Sequence, residues 1–110
     1  MDLNGIRMNV AETDPDGVVN HETIFEFIQE GSIVTAKYEG GKIEKGFLAG
    51  TLKENTLNFT YCQMQKDGTL DNGISQCEVS KDANGKVQLT EHFEWKSRPG
   101  VKGKNVFREM

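Results

Sequence analysis

Thr56-Leu57-Asn58-Phe59-Thr60-Tyr61-Cys62-Gln63-Met64-Gln65, then Lys66-Asp67-Gly68, then Thr69-Leu70-Asp71-Asn72-Gly73-Ile74-Ser75-Gln76-Cys77-Glu78-Val79-Ser80 is the stretch that decides the fold. Leu57, Phe59 and Tyr61 recur at every second position, the period of a strand with one buried face. Asp67-Gly68 is a hairpin signal, because both residues tolerate the positive φ of a tight turn. The same cadence continues outward from this hairpin. Turn signals fall at Asp14-Pro15-Asp16-Gly17, Glu30-Gly31, Glu39-Gly40-Gly41, Lys53-Glu54-Asn55, Asp82-Ala83-Asn84-Gly85 and Arg98-Pro99-Gly100. They separate strands expected at 3–12, 22–30, 32–39, 42–52, 56–66, 69–80, 86–97 and 104–109. Eight runs on short turns predict an all-β chain, an eight-stranded antiparallel up-and-down meander that closes into a small barrel.

One segment carries two signals. Asn20 and Gly31 could cap a helix, with Val19 stapling onto Ile24. Thr23, Ile24, Phe25 and Phe27 crowd the same stretch and prefer a pleated surface, which favours a strand over a helix.

Counting residues across the turns assigns faces. A turn at Gly31 pairs Phe27 with Val34, and one at Gly40-Gly41 pairs Val34 with Phe47 and Tyr38 with Ile43. A loop at 53–55 then turns Leu57, Phe59 and Tyr61 inward. A two-residue turn at Asp67-Gly68 and a four-residue loop at 82–85 add Leu70, Asn72, Ile74 and Gln76, then Val87, Leu89, Glu91, Phe93 and Trp95. Ile24, Ile28, Ile33 and Leu48 fall outside and form an expected outer apolar patch.

A chain of 110 residues is one domain, 1–110. Its net charge of −4, with scattered Lys and Arg, argues against nucleic acid and against anionic membrane surfaces. Met1-Asp2-Leu3-Asn4-Gly5 has neither the basic nor the apolar stretch of a secretion signal, so a soluble, cytoplasmic protein is expected. In the counted register Cys62 and Cys77 sit about four residues apart along neighbouring strands, roughly 13 Å, too far for a disulfide. Both are expected as free thiols.

The polar residues on the inner face point to chemistry. Gln63 would oppose Asn72, and Gln76 would oppose Glu91, with Tyr61, Tyr38 and Trp95 close by. A carboxylate among inward apolar residues must be paired or shifted toward its neutral form. These seven residues form a candidate pocket for a small, partly apolar ligand. The plainer alternative is a wet barrel mouth, or a structural cluster in which Glu91 meets Lys45 or Arg7. No cofactor and no metal is expected. His21 and His92 are far apart in sequence, Asp14-x-Asp16-Gly17 lacks the acidic ligand that ends a calcium loop, and no phosphate-cradling glycine motif occurs.

Glu22-Thr23-Ile24-Phe25-Glu26-Phe27, Tyr38-x-Gly40-Gly41-Lys42-Ile43-x-Lys45-Gly46 and Asn84-Gly85-Lys86-Val87-x-Leu89-x-Glu91-x-Phe93-x-Trp95 together span most of residues 20–97. On these motifs the chain resembles a family of small bacterial proteins often carried under the label N-acetylglutamate synthase. The resemblance implies a lipocalin-like or avidin-like barrel. It does not carry the labelled activity over, because acetyl-CoA enzymes hold the pyrophosphate in a Gly-rich loop at a helix N-terminus, and this sequence has no such loop. The leading expectation is noncatalytic binding of a small amphipathic ligand. The alternatives are self-association as a homodimer through the outer patch, and a small barrel enzyme with Glu91 as acid or base.

Overall fold

The computed structural model describes residues 2–110. Its eight strands are β1 (Arg7–Glu12), β2 (Ile24–Glu30), β3 (Ile33–Gly40), β4 (Ile43–Lys53), β5 (Thr56–Gln65), β6 (Leu70–Lys81), β7 (Val87–Trp95) and β8 (Lys102–Glu109). Each pairs antiparallel with the next, and β8 pairs with β1, so the sheet is a closed barrel in chain order. Closure leaves no edge strand to protect. Asn20–Gly31 is not helical: it runs through a turn into β2, where Phe25 and Phe27 face the core.

An eight-stranded barrel has an interior just wide enough for side chains to fill. Here apolar side chains fill the interior except for a small cavity near one end. Leu52, Leu57, Val79 and Val87 are buried in strands that meet at the turns 31–32, 54–55 and 82–86, and Leu3 is fully buried with them in the core. The opposite end is bounded by the long β1–β2 loop, the turns at 41–42 and 66–68, and the β7–β8 loop.

The strand order was legible, but the registers shift in informative ways. At the β2–β3 turn Phe27 pairs with Ala36 and Phe25 with Tyr38, two residues from the counted register, so the faces are kept. In β4 a bulge between Ile43 and Lys45 sends Glu44 and Lys45 both to solvent and inverts the rest of the strand. Leu48 is therefore buried, not part of an outer patch, while Phe47 and Ala49 are exposed. The β4–β5 turn is one residue tighter than expected, Lys53 pairing with Thr56, and this restores Leu57, Phe59 and Tyr61 to the interior.

The Lys66-Asp67-Gly68 and Ala83-Asn84-Gly85 loops are three residues long, each ending on a glycine with φ of +90° and +78°. That is the turn-plus-bulge form of hairpin, not the two-residue form. The first inverts β6 and the second restores β7. Asp71, Ser75 and Cys77 consequently face inward, and Leu70, Asn72, Ile74 and Gln76 face outward. Cys62 is exposed and Cys77 buried, so both thiols are free.

Inward aromatics lie directly opposite inward glycines. The register pairs Tyr38 with Gly46, Phe59 with Gly50, Tyr61 with Gly73 and Phe93 with Gly103. A β-carbon on any of these glycines would enter the space held by the aromatic residue facing it. At Gly46, Gly73 and Gly103 the missing side chain leaves room for the cross-strand ring over the backbone, and at Gly50 it makes room for the Asn58 carbonyl and the Phe59 Cα and Cβ.

Candidate functional site

The barrel end under the β1–β2 loop holds a cluster of inward polar groups. Tyr38 from β3, Tyr61 and Gln63 from β5, Glu91 and Trp95 from β7, and Asn105 from β8 line one cavity of about 30 Å³, room for a water molecule or two. Its remaining walls are aromatic and aliphatic. Phe25 stacks on Tyr38 with centroids 4.3 Å apart, and Trp95 meets Tyr61 edge-on at 5.6 Å. Gly17, Val18 and Val19 of the β1–β2 loop close the top.

Glu91 is the centre of a hydrogen-bonded chain. Ser75 Oγ donates to its Oε2 at 2.6 Å, and Asn105 Nδ2 donates to its Oε1 at 2.8 Å. Asn105 Oδ1 in turn accepts from Thr13 Oγ1 at 2.8 Å, which ties the loop to the buried carboxyl. Burial pushes the Glu91 carboxyl above its ordinary range, and the two hydrogen bonds draw it partly back. Burial, and then the charge of Glu91, raise the phenols of Tyr38 and Tyr61 and the thiol of Cys77, so these groups stay protonated. The partners of Glu91 are Ser75 and Asn105, not the Lys45 or Arg7 that the sequence suggested.

Tyr38 Oη donates to Gln63 Oε1 at 2.8 Å. Two buried groups at the cavity, Tyr61 Oη and Gln63 Nε2, find no hydrogen-bond partner among the described residues. Natural folds leave few such groups unmet.

The rim is held by a second cluster. Arg98 reaches Asp71 with two bonds, Nε to Oδ1 at 3.0 Å and Nη2 to Oδ2 at 2.8 Å, and Ser97 Oγ donates to Oδ1 at 3.0 Å. A bidentate pair on a nearly buried carboxylate fixes both partners. The Arg98 guanidinium lies 4.9 Å from the centre of the Trp95 ring, and Trp95 Nε1 donates to Asp16 O at 3.0 Å. Trp95 is thereby clamped between the β7–β8 loop and the β1–β2 loop. Outside these loops is a polar recess of about 430 Å³, bordered by Pro15, Lys42, Gln65 and Arg98. It shares Gly17 and Val18 with the inner cavity.

Of the seven residues expected to form a pocket, Tyr38, Tyr61, Gln63, Glu91 and Trp95 come together. Asn72 and Gln76 do not: both are exposed on the outer face of β6, because the three-residue loop ending at Gly68 inverts that strand. Ser75, Asp71 and Asn105 take their places. The glycine–aromatic pairing of Tyr61 with Gly73 would have revealed the inversion, and the pairing of Phe93 with Gly103 places Asn105 opposite Glu91.

No curated protein and no solved structure matches the chain. A family profile matches it over residues 1–110, that of the avidin-like proteins. With the closed eight-stranded barrel, this full-length match shows that the chain belongs to the avidin-like protein family.

Proposed function

We propose that the protein binds a small, partly apolar molecule inside the barrel, without chemical change, at the end covered by Asp14–Val19. Membership of the avidin-like family is consistent with a binding barrel. The observation that carries the proposal is the pair of buried, unpartnered groups, Tyr61 Oη and Gln63 Nε2, on residues lining an aromatic cavity. The cavity has room for a water molecule or two beside these groups, and a guest that supplies partners takes over those hydrogen bonds.

The cavity of about 30 Å³ is far smaller than the roughly 300–1,000 Å³ of ordinary ligand sites. The missing room lies behind the loop. Gly17 and Val18 border both the cavity and the outer recess, so lifting them joins the two spaces. The test is a native mass spectrum of the protein purified gently from its own host. An added mass that disappears in Trp95→Ala is expected, and a bare barrel from fresh lysate ends the proposal.

A second role is favoured by the outer face of β4–β6. Phe47, Ala49 and Thr51, then Cys62, Thr60 and Asn58, then Asn72, Ile74 and Gln76 stand in register on three adjacent strands, all exposed and none charged. In a chain with 27% charged residues, such a face has the composition of an interface core. We infer that two copies pair through it, in place of the Ile24, Ile28, Ile33 and Leu48 patch. Sedimentation velocity should then give a dimer that Ile74→Lys converts to monomer, and a monomer at high concentration would remove this role.

A further inference from the structure

We propose that Asp14–Val19 is a lid governed by the protonation of Glu91, shut over the cavity while that carboxyl is neutral and released when it ionises. The inference rests on the binding role above and adds its control: a guest is held at acidic pH and freed as the pH rises.

The geometry joins the loop to the carboxyl directly. Thr13 Oγ1, just before the lid, donates to Asn105 Oδ1 at 2.8 Å, and Asn105 Nδ2 donates to Glu91 Oε1 at 2.8 Å. Ser75 Oγ takes the other carboxyl oxygen at 2.6 Å. Glu91 is 4% exposed and lines the same cavity as Gly17, Val18 and Val19. Gly17 and Val18 also border the outer recess, so lifting them brings water to the carboxyl. Glu91 is therefore dry under the shut lid and wet under the open one.

No cation compensates its charge in the shut form. The titratable groups facing Glu91 are Tyr38 from β3, Tyr61 from β5 and Cys77 from β6, all held protonated. β8 offers the neutral Asn105 amide, and the lid offers the uncharged Gly17, Val18 and Val19. At the rim Arg98 is matched to Asp71. Among the described residues no Lys, Arg or His forms an ion pair with Glu91. Two neutral donors replace only part of the hydration of a carboxylate, so burial favours the neutral acid under the shut lid. In the open form water solvates the carboxylate, and its ionisation returns toward the ordinary range. The shut form thus holds the proton more tightly than the open one. Linkage fixes the sign: protonation supports closure fully below the ordinary carboxylate range, and that support is lost as pH rises to the value of the shut form.

The test is hydrogen exchange at the indole N–H of Trp95, which donates to Asp16 O in the shut lid. It is followed in the whole protein and in Glu91→Gln from pH 4 to pH 8. Dividing the wild-type rate by the variant's rate at the same pH cancels the chemical dependence of exchange on pH. It cancels equally any response of Asp14, Asp16 or His21, which both proteins carry. The ratio is expected to rise several-fold across the range, by no more than about tenfold per pH unit, the limit for one proton, and then to level. Ser75→Ala removes a donor to the carboxylate, so its rate relative to wild type should go on rising at the alkaline end. This second comparison stands without Glu91→Gln. The amides of β5 should stay better protected than the indole at every pH, which separates lid opening from unfolding of the barrel. A flat ratio, a ratio that falls as pH rises, or an indole that exchanges only together with β5 overturns the inference. Each of those results leaves the binding role standing. A bare barrel in the native mass spectrum removes the binding role and leaves the pH response of the lid to stand or fall on these rates.

Discussion

Glu91 couples folding to pH through its burial. Its carboxyl ionises at a higher pH in the barrel than in the unfolded chain. The neutral acid therefore supports the fold fully below the ordinary carboxylate range, and that support is lost as pH rises through the folded value. Glu91→Gln keeps an oxygen for Asn105 and removes the charge. Its melting temperature should exceed the wild type at pH 8 by several degrees, at about 4–8 °C per kcal/mol for a chain of this length, and the gain should shrink toward pH 4. A variant less stable at pH 8 than at pH 4, relative to wild type, would show that the charged carboxylate is the form the fold prefers. The residues around Glu91 were legible in part. Tyr38, Tyr61, Gln63 and Trp95 could be placed inward because each sits on a strand whose apolar alternation is strong. Alternation alone does not place Asn105, because Asn105, Val106 and Phe107 are buried in succession, and only the pairing of Phe93 with Gly103 sets it opposite Glu91.

At the scale of elements, the strands and their order follow from turn chemistry and the two-residue period, and neither of those fixes register. Whether Gly68 closes a two-residue loop or ends a three-residue one moves every side chain of β6 to the other face. The error cancels at Gly85, so β7 reads correctly while β6 does not. The glycine–aromatic pairs resolve it, because a β-carbon at Gly46, Gly73 or Gly103 would strike the aromatic ring that faces it on the neighbouring strand. Gly73→Ala tests this. Its β-carbon would meet the Tyr61 hydroxyl and the Glu94 carbonyl, an overpacking that costs about 1–3 kcal/mol. Gly68→Ala meets no atom and carries only the strain of its φ of +90°, about 1 kcal/mol. Urea unfolding should rank Gly73→Ala as the weaker fold, and only Gly73→Ala should alter the Trp95 emission, since Trp95 packs on Tyr61. Equal losses with unchanged emission would mean that the β6 register differs from the one described.

For the whole molecule, the barrel is not equally closed around its circumference. β4 and β5 pair from Ile43 to Lys53, whereas β1 and β2 register at Arg7 with Glu26 and Met8 with Phe25, extended toward the N-terminus by backbone bonds of Gly5 and Ile6 with Phe27. Past Met8 the chain stays paired to β8 through Glu12, but β2 has already turned away, so the seam is open at the end where the cavity lies. The β1–β2 loop bridges that opening. Between Thr13 and Val19 its hydrogen bonds to the barrel are Thr13 to Asn105 and Trp95 to Asp16 O. A loop spanning the weakest seam and held by few bonds is where local opening should be cheapest. Hydrogen exchange is therefore expected to be fastest, among the strands and this loop, at Val10–Val19 and slowest in β4–β6, with a bound guest slowing the loop amides selectively. Gly17 lies against the same anchor: a β-carbon there would sit 2.9 Å from Thr13 Oγ1 and 3.2 Å from Asn105 Oδ1. Gly17→Ala should speed loop exchange and guest release by about tenfold while shifting global stability by about 1 kcal/mol or less. If Val10–Val19 exchange only at the rate of global unfolding, the loop is a fixed wall, and a guest must reach Tyr61 and Gln63 by another path or not at all.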